Sequence, residues 1–161
     1  MKIDIELDNK RVLAAINRLI QASTDLTPAM RVIAGHLEAG VERAFATETA
    51  PDGKAWPALS EVTRERRAAK GKWPGKKLQV QTDLLGSITS DHSATEAVVG
   101  TNLVYATTHQ FGANKGAFGI TSRGAPIPWG DIPARPFLGI SADTETQVVD
   151  AIGDFLREQW R

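Results

Sequence analysis

Asp83-Leu84-Leu85-Gly86-Ser87-Ile88-Thr89-Ser90-Asp91-His92-Ser93-Ala94-Thr95-Glu96-Ala97-Val98-Val99-Gly100 holds the reading on which the fold turns. Its first residues read as a short helical turn or the start of a strand. Two β segments come next, about Ser87 to His92 and Glu96 to Gly100, with the polar Ser93-Ala94-Thr95 between them as a turn. Strands joined so closely pair antiparallel, since a parallel pair needs a crossover of about a dozen residues or more. With helical periodicity on both sides, the hairpin predicts an α+β class. The expected architecture is a small, mainly antiparallel sheet covered by two N-terminal helices and a C-terminal helix, with a long loop.

Upstream, Ile3, Ile5 and Leu7 alternate with Lys2, Asp4 and Glu6, the period of two of a half-buried strand. From Asn9 to about Ser23 the period lengthens, and Val12, Leu13, Ile16, Leu19 and Ile20 form the apolar stripe of a first helix. Thr27 before Pro28 reads as an N-cap with proline at the first helical position, where its missing N–H is not needed. That second helix runs to about Thr47 with Ile33, Leu37, Val41, Ala44 and Phe45 on its buried face. Pro51-Asp52-Gly53 then reverses the chain. Trp56 and Leu59 flank Pro57 and are expected to plug the end of the helical layer, in preference to stacking on a ligand. Ser60 caps a short helix to about Lys70.

Downstream, Tyr105 to Phe111 has room for one or two helical turns. The segment from Gly112 to Arg123 has little periodicity and reads as a mobile loop, part of a longer loop that runs to Gly130. Pro126, Pro128, Pro133 and Pro136 stiffen the chain around them, a last β segment is expected around Phe137 to Ile140, and Ser141 or Asp143 caps a closing helix. That helix buries Val148, Ile152, Phe155 and Leu156 and ends near Trp160.

The 161 residues fit a single domain, 1–161, and 19 Lys+Arg against 19 Asp+Glu give no global argument for nucleic acid or membrane. The absence of cysteine removes disulfides, thiolate metal sites and thiol catalysis, and it suits a reducing compartment. Neither a signal-like apolar run nor about 18 consecutive apolar residues occur, so a soluble chain with no membrane partner is expected.

His36, His92 and His109 lack metal-ligand spacing, and no nucleophile elbow, phosphate loop or dinucleotide fingerprint is present. No catalytic, cofactor or metal residue is therefore assigned. His109, the one candidate base, is read as an imidazole bonding a neighbouring backbone group. Arg64, Arg66, Arg67, Lys70, Lys72, Lys76 and Lys77 form a basic run beside Trp73. They are candidate DNA-facing residues, with a solvated charged face and an acidic protein partner as competing explanations. Phe118, Ile120, Ile127 and Trp129 are hard to bury within their own loop, which therefore orders against a neighbour or, less favoured, forms a lid.

Four segments carry a resemblance. They are Pro51-Asp52-Gly53-Lys54-Ala55-Trp56-Pro57-Ala58-Leu59, then Thr82-Asp83-Leu84-Leu85-Gly86-Ser87-Ile88, and then Val99-Gly100-Thr101-Asn102 leading to Tyr105-Ala106 and His109-Gln110-Phe111-Gly112. The fourth is Ile132-Pro133-Ala134-Arg135-Pro136-Phe137-Leu138-Gly139. In this order the chain resembles the phage virion morphogenesis family, the tail completion proteins of Mu-like and P2-like tailed phages. Thr82-Asp83 departs from the small or hydroxyl-bearing residue plus glycine usual before the leucine of the central motif. The resemblance implies a structural, non-enzymatic virion component that completes the tail or makes the head–tail joint. It also implies an α+β subunit forming a ring, commonly hexameric, assembled in the host cytoplasm and retained in the virion. On that basis Phe111, Phe118, Ile120, Ile127, Trp129 and Arg135 are expected to contact neighbouring subunits, the tail tube or head connector proteins, and the basic run to face packaged DNA. A head-side connector is the main rival, and a phage enzyme or a free-standing DNA-binding protein are the others.

Overall fold

The computed structural model describes residues 10–80 and 83–160. In chain order the elements are α1 (Lys10–Thr24), α2 (Thr27–Thr47), α3 (Glu61–Ala68), α4 (Asp83–Gly86), β1 (Ile88–His92), β2 (Ala97–Thr101), α5 (Ala106–Phe111) and α6 (Ala142–Trp160). The expected opening strand Lys2–Leu7 and Thr82 of the central motif lie outside the described residues.

The hairpin is antiparallel, with Ile88 opposite Thr101, Ser90 opposite Val99 and His92 opposite Ala97. Ser93 makes the turn. Its backbone N–H donates to the carbonyl of Glu96, and its hydroxyl accepts from the N–H groups of Thr95 and Glu96. The class is α+β. The sheet lies on α2, α6 packs on α2, and α1 packs on α6. Because Ser90 Oγ donates to Glu38 on α2 at 2.6 Å, the face carrying Ile88, Ser90 and His92 is the one turned to that helix.

Leu26, rather than Thr27, stands at the N-cap of α2, with no side-chain capping bond; one residue earlier the Asp25 carboxylate accepts the Thr27 N–H at 3.0 Å, and Pro28 occupies the first turn. α2 ends at Glu48, in the left-handed conformation at φ 57°, whose N–H closes on the Ala44 carbonyl. Ser60 caps α3 as expected, accepting from Thr63 N–H. Ser141 caps α6 in the same way through Thr144. Thr144 is fully buried where α6 crosses α2, closely over Gly40, where a Cβ would stand 3.0 Å from Thr144 Oγ1.

The core gathers Val41, Ala44 and Phe45 of α2 with Trp56, Leu84, Ile88, Ala106 and Phe137. Phe45 meets Trp56 edge-on at 5.5 Å and Phe137 at 5.3 Å. Each such ring contributes about 1.5–3 kcal/mol by burial. Trp56 is thus a core residue, as its flanking proline suggested.

Three expectations are corrected. The stripe of α1 is not its buried face: Ala15 is buried and Leu19 half-buried against the protein, while Leu13, Ile16 and Ile20 are exposed. On α6, Leu156 likewise stays exposed while Val148, Ile152 and Phe155 are half-buried. Phe137 to Ile140 forms no strand. The Gln110 carboxamide takes the place of a pairing strand, accepting from the N–H groups of Phe137 and Leu138 and donating to the Leu138 carbonyl at 2.8 Å.

Candidate assembly surface

The loop from Gly112 to Gly130 folds back on itself. At its base the N–H groups of Ala113 and Ile132 bond to each other's carbonyl oxygens. Further out Gly116 donates to Pro128, Phe118 to Ile127, Ile127 to Gly119 and Thr121 to Ala125. The backbone donors are spent inside this tongue, which explains how a segment without hydrophobic periodicity holds one shape. It also leaves the side chains nowhere to go. Phe111 is 75 % exposed, Ile120 72 % and Trp129 67 %, with Phe118 and Ile127 exposed as well. Val104 and Tyr105 at the start of α5, with Thr107, Phe111 and Phe118, line an open concavity of about 600 Å³. Val104, which sequence reasoning missed, is 91 % exposed. An apolar residue ahead of a short helix carries no local signal that it is left uncovered.

Arg135 does not belong to that surface. It is only 5 % exposed, and its Nε and one terminal nitrogen donate to the carbonyls of Pro57 and Ala58 at 3.0 and 2.9 Å. Its own N–H donates to the His109 carbonyl. Burial, with Arg67 nearby, lowers the proton affinity of its guanidinium, which Glu48 partly offsets. The expected contact residue is therefore an internal clamp between two segments of the chain.

His109 stacks edge-on against Tyr105 at 6.0 Å. Its Nδ1 is enclosed and has no hydrogen-bond partner among the described residues. The imidazole does not bond the backbone as expected; the residue's carbonyl, taken by Arg135, does. Burial and then the Arg135 charge push its pKa below the ordinary histidine value, which favours the neutral ring.

The basic run divides. Arg67 donates to the Lys76 carbonyl, Lys76 Nζ to the carbonyl of Ala46, and Lys77 Nζ to Glu48 at 3.0 Å. Lys76 and Gln79, whose amide donates to the Phe45 carbonyl at 2.8 Å, thus satisfy two orphan carbonyls at the end of α2, where the Lys76 charge also suits the negative end of the dipole. Burial opposes ionisation of Glu48, but the N–H and ammonium of Lys77, with Lys76 beyond, outweigh it and hold the carboxyl below its ordinary range. Arg64 pairs with Glu61. Arg66 lies over the Trp129 ring at 5.9 Å and so ties α3 to the tongue. Lys70 and Lys72 are exposed beside Trp73. Of seven candidate DNA-facing charges, then, Lys70 and Lys72 are exposed, and Arg66 is exposed with its guanidinium over Trp129.

Among the described residues no group of three or more His, Asp or Glu side chains converges as a metal site, and no helix is long and apolar enough to cross a membrane.

The sequence profile of the phage virion morphogenesis family matches residues 7–157. The chain is 35 % identical over 156 residues to Mu-like prophage FluMu G protein 2 of Haemophilus influenzae, covering 96 % of each. It is 33 % identical over 153 residues to the putative capsid assembly protein G of Escherichia phage Mu, covering 94 % of this chain and 92 % of that one. A second Haemophilus influenzae protein, Mu-like prophage FluMu G protein 1, is 30 % identical over 152 residues. No solved structure matches.

Proposed function

The chain belongs to the phage virion morphogenesis family, and on that premise we propose that its subunits associate into a ring that completes the tail, as a tail terminator at the head–tail joint. The reading is structural and non-enzymatic. One observation carries it: a tongue closed by its own backbone bonds leaves Phe118, Ile120 and Trp129 exposed, and Phe118 lines a concavity with Val104 and Phe111. Exposed apolar surface of this kind is a liability on a monomer and an interface in an assembly. In a cyclic ring two different patches of each subunit must match, and the tongue is one of them. Arg66, Lys70 and Lys72 then serve contacts to packaged DNA, and the protein resides in the virion after assembly in the host cytoplasm.

A head-side neck role is the second reading, favoured by the name of the phage Mu relative, a putative capsid assembly protein. Electron microscopy of particles assembled without the protein, together with its mass in solution, tests both. Filled heads beside separate tails of irregular length support the terminator; heads that fail to retain DNA support the neck role. Normal heads joined to normal tails overturn the proposal.

A further inference from the structure

Between the first turns of α2 and the last turns of α6 lies a groove of about 470 Å³. Ala29, Val32 and Phe155 give it an apolar lining. Asp150, Asp154 and Glu158 line it as well, four residues apart and so on one face of α6. All three carboxylates are exposed, and Arg157 pairs with Asp154, so the wall stays acidic with three negative charges against one positive. A hollow of this chemistry suits an apolar side chain accompanied by a cation.

The tongue ends in that combination. At its tip the Gly124 N–H donates to the Thr121 carbonyl and the Thr121 N–H to that of Ala125, which sets Arg123 in the turn with Ile120 just behind it. Both are exposed. The acid of the tongue, Asp131, sits back at the base, where it accepts the Lys115 N–H. The tip therefore carries a net positive charge beside its isoleucine.

Tongue and groove stand at opposite ends of α2. The tongue is rooted where the Arg135 N–H bonds to the His109 carbonyl and Phe137 packs on Phe45, whereas the groove begins at Ala29. From Ala29 to Phe45 the helix rises about 24 Å at 1.5 Å per residue. Ile120 is 72 % exposed, so it does not fill the groove of its own chain. A projection at one end and a hollow of opposite charge at the other are the two unlike patches that a head-to-tail contact needs. The geometry points to a second copy of this chain as the occupant: the tongue tip of one subunit seats in the α2–α6 groove of the next, Ile120 against Val32 and Phe155, and Arg123 beside Asp150 and Glu158. This inference rests on the self-association proposed above and supplies the mate of the tongue.

Charge exchange, read as mass in solution, tests it. Asp150→Lys with Glu158→Lys makes the groove basic, and Arg123→Glu makes the tip acidic, all at exposed positions. Either change alone is expected to lower the ring fraction at least about tenfold, because like charges then face each other. A chain carrying all three is expected to regain the ring. The second measurement is independent of charge. The chain has no cysteine, so an Ile120→Cys chain mixed with a Val32→Cys chain and oxidised with glutathione disulfide reports without background. Mixed dimer is expected about tenfold above that from Ile120→Cys with Val98→Cys, an exposed valine on the hairpin. Rings unaffected by the reversals, no recovery in the triple variant, or equal disulfide yields overturn the inference and leave the ring reading standing. Intact rings of the Asp150→Lys, Glu158→Lys chain that no longer join tails would assign the groove to another virion protein, which also overturns it. A parent chain that stays monomeric removes both readings.

Discussion

Trp56 Nε1 donates to the carbonyl of Pro136 at 2.7 Å, joining two segments 80 residues apart. The same indole packs edge-on against Phe45, so one side chain supplies both a core ring and the bond that fixes the Pro136-Phe137 backbone over it. Trp56→Phe keeps most of the ring and removes the donor. It is expected to cost about 1–3 kcal/mol, since a buried carbonyl loses its partner, read as a fall of roughly 2–12 °C in Tm. Trp56→Ala, which also opens a cavity, should cost about 3–5 kcal/mol. An unchanged Tm in Trp56→Phe would mean that water replaces the indole without penalty.

Arg135 is expected to behave as a stability residue. Its planar fork reaches the consecutive carbonyls of Pro57 and Ala58, which a lysine's single ammonium cannot serve with the same geometry. Arg135→Met should lower stability by about 2–4 kcal/mol, because two acceptors are left unpaired, with Arg135→Lys between it and the parent. Urea unfolding checks this through a lowered midpoint at constant slope. If the methionine variant unfolds normally yet fails to assemble, Arg135 is an interface residue after all.

These two anchors mark the boundary of what the amino-acid order discloses. Ser60 and Ser141 as caps and the Ser93 turn are legible because donor and acceptor lie within three residues of each other. Arg135 finds its acceptors 78 and 77 residues away, and Gln110 its partners about 28 away, so neither role has a local signature. Periodicity placed an apolar stripe on α1 but cannot say which residues of a stripe meet a neighbour, and Leu13 and Ile16 prove exposed. The exposed aromatics of the tongue were legible for the opposite reason: a glycine-rich segment with no repeat has no face on which to bury them. The basic run misled in part, because composition counts charges without revealing that Arg67, Lys76 and Lys77 are committed to the chain itself.

Gly112 closes α5 at the root of the tongue with φ 76°, and a Cβ there would stand 2.7 Å from the Ile132 carbonyl oxygen and 2.9 Å from the Ala134 nitrogen. Both obstacles are backbone, so neither rotates away. Gly112→Ala is expected to destabilise by about 1–3 kcal/mol and to loosen the base of the tongue, read by hydrogen exchange as faster loss of protection at Ala113 and Ile132 than at the core residue Val41. Uniform loss at all three would place the strain in the whole fold instead.

The ion pair of Glu48 with Lys77 gives stability a definite pH dependence. The folded-state pKa of Glu48 lies below its ordinary value of about 4.3. Between the two values the unfolded chain binds more protons, so stability rises with pH across that window, is complete above the ordinary value, and is lost as pH falls through the folded value. Both side chains are about a quarter exposed, and the pair is worth about 1 kcal/mol. Glu48→Gln keeps an acceptor for the Lys77 N–H and removes the titration. Its Tm is expected to fall below that of the parent at neutral pH and to converge on it as pH falls through the folded value, in melts taken at constant ionic strength. Parallel curves across the whole range would show that the carboxylate acts there only as a hydrogen-bond acceptor at the end of α2.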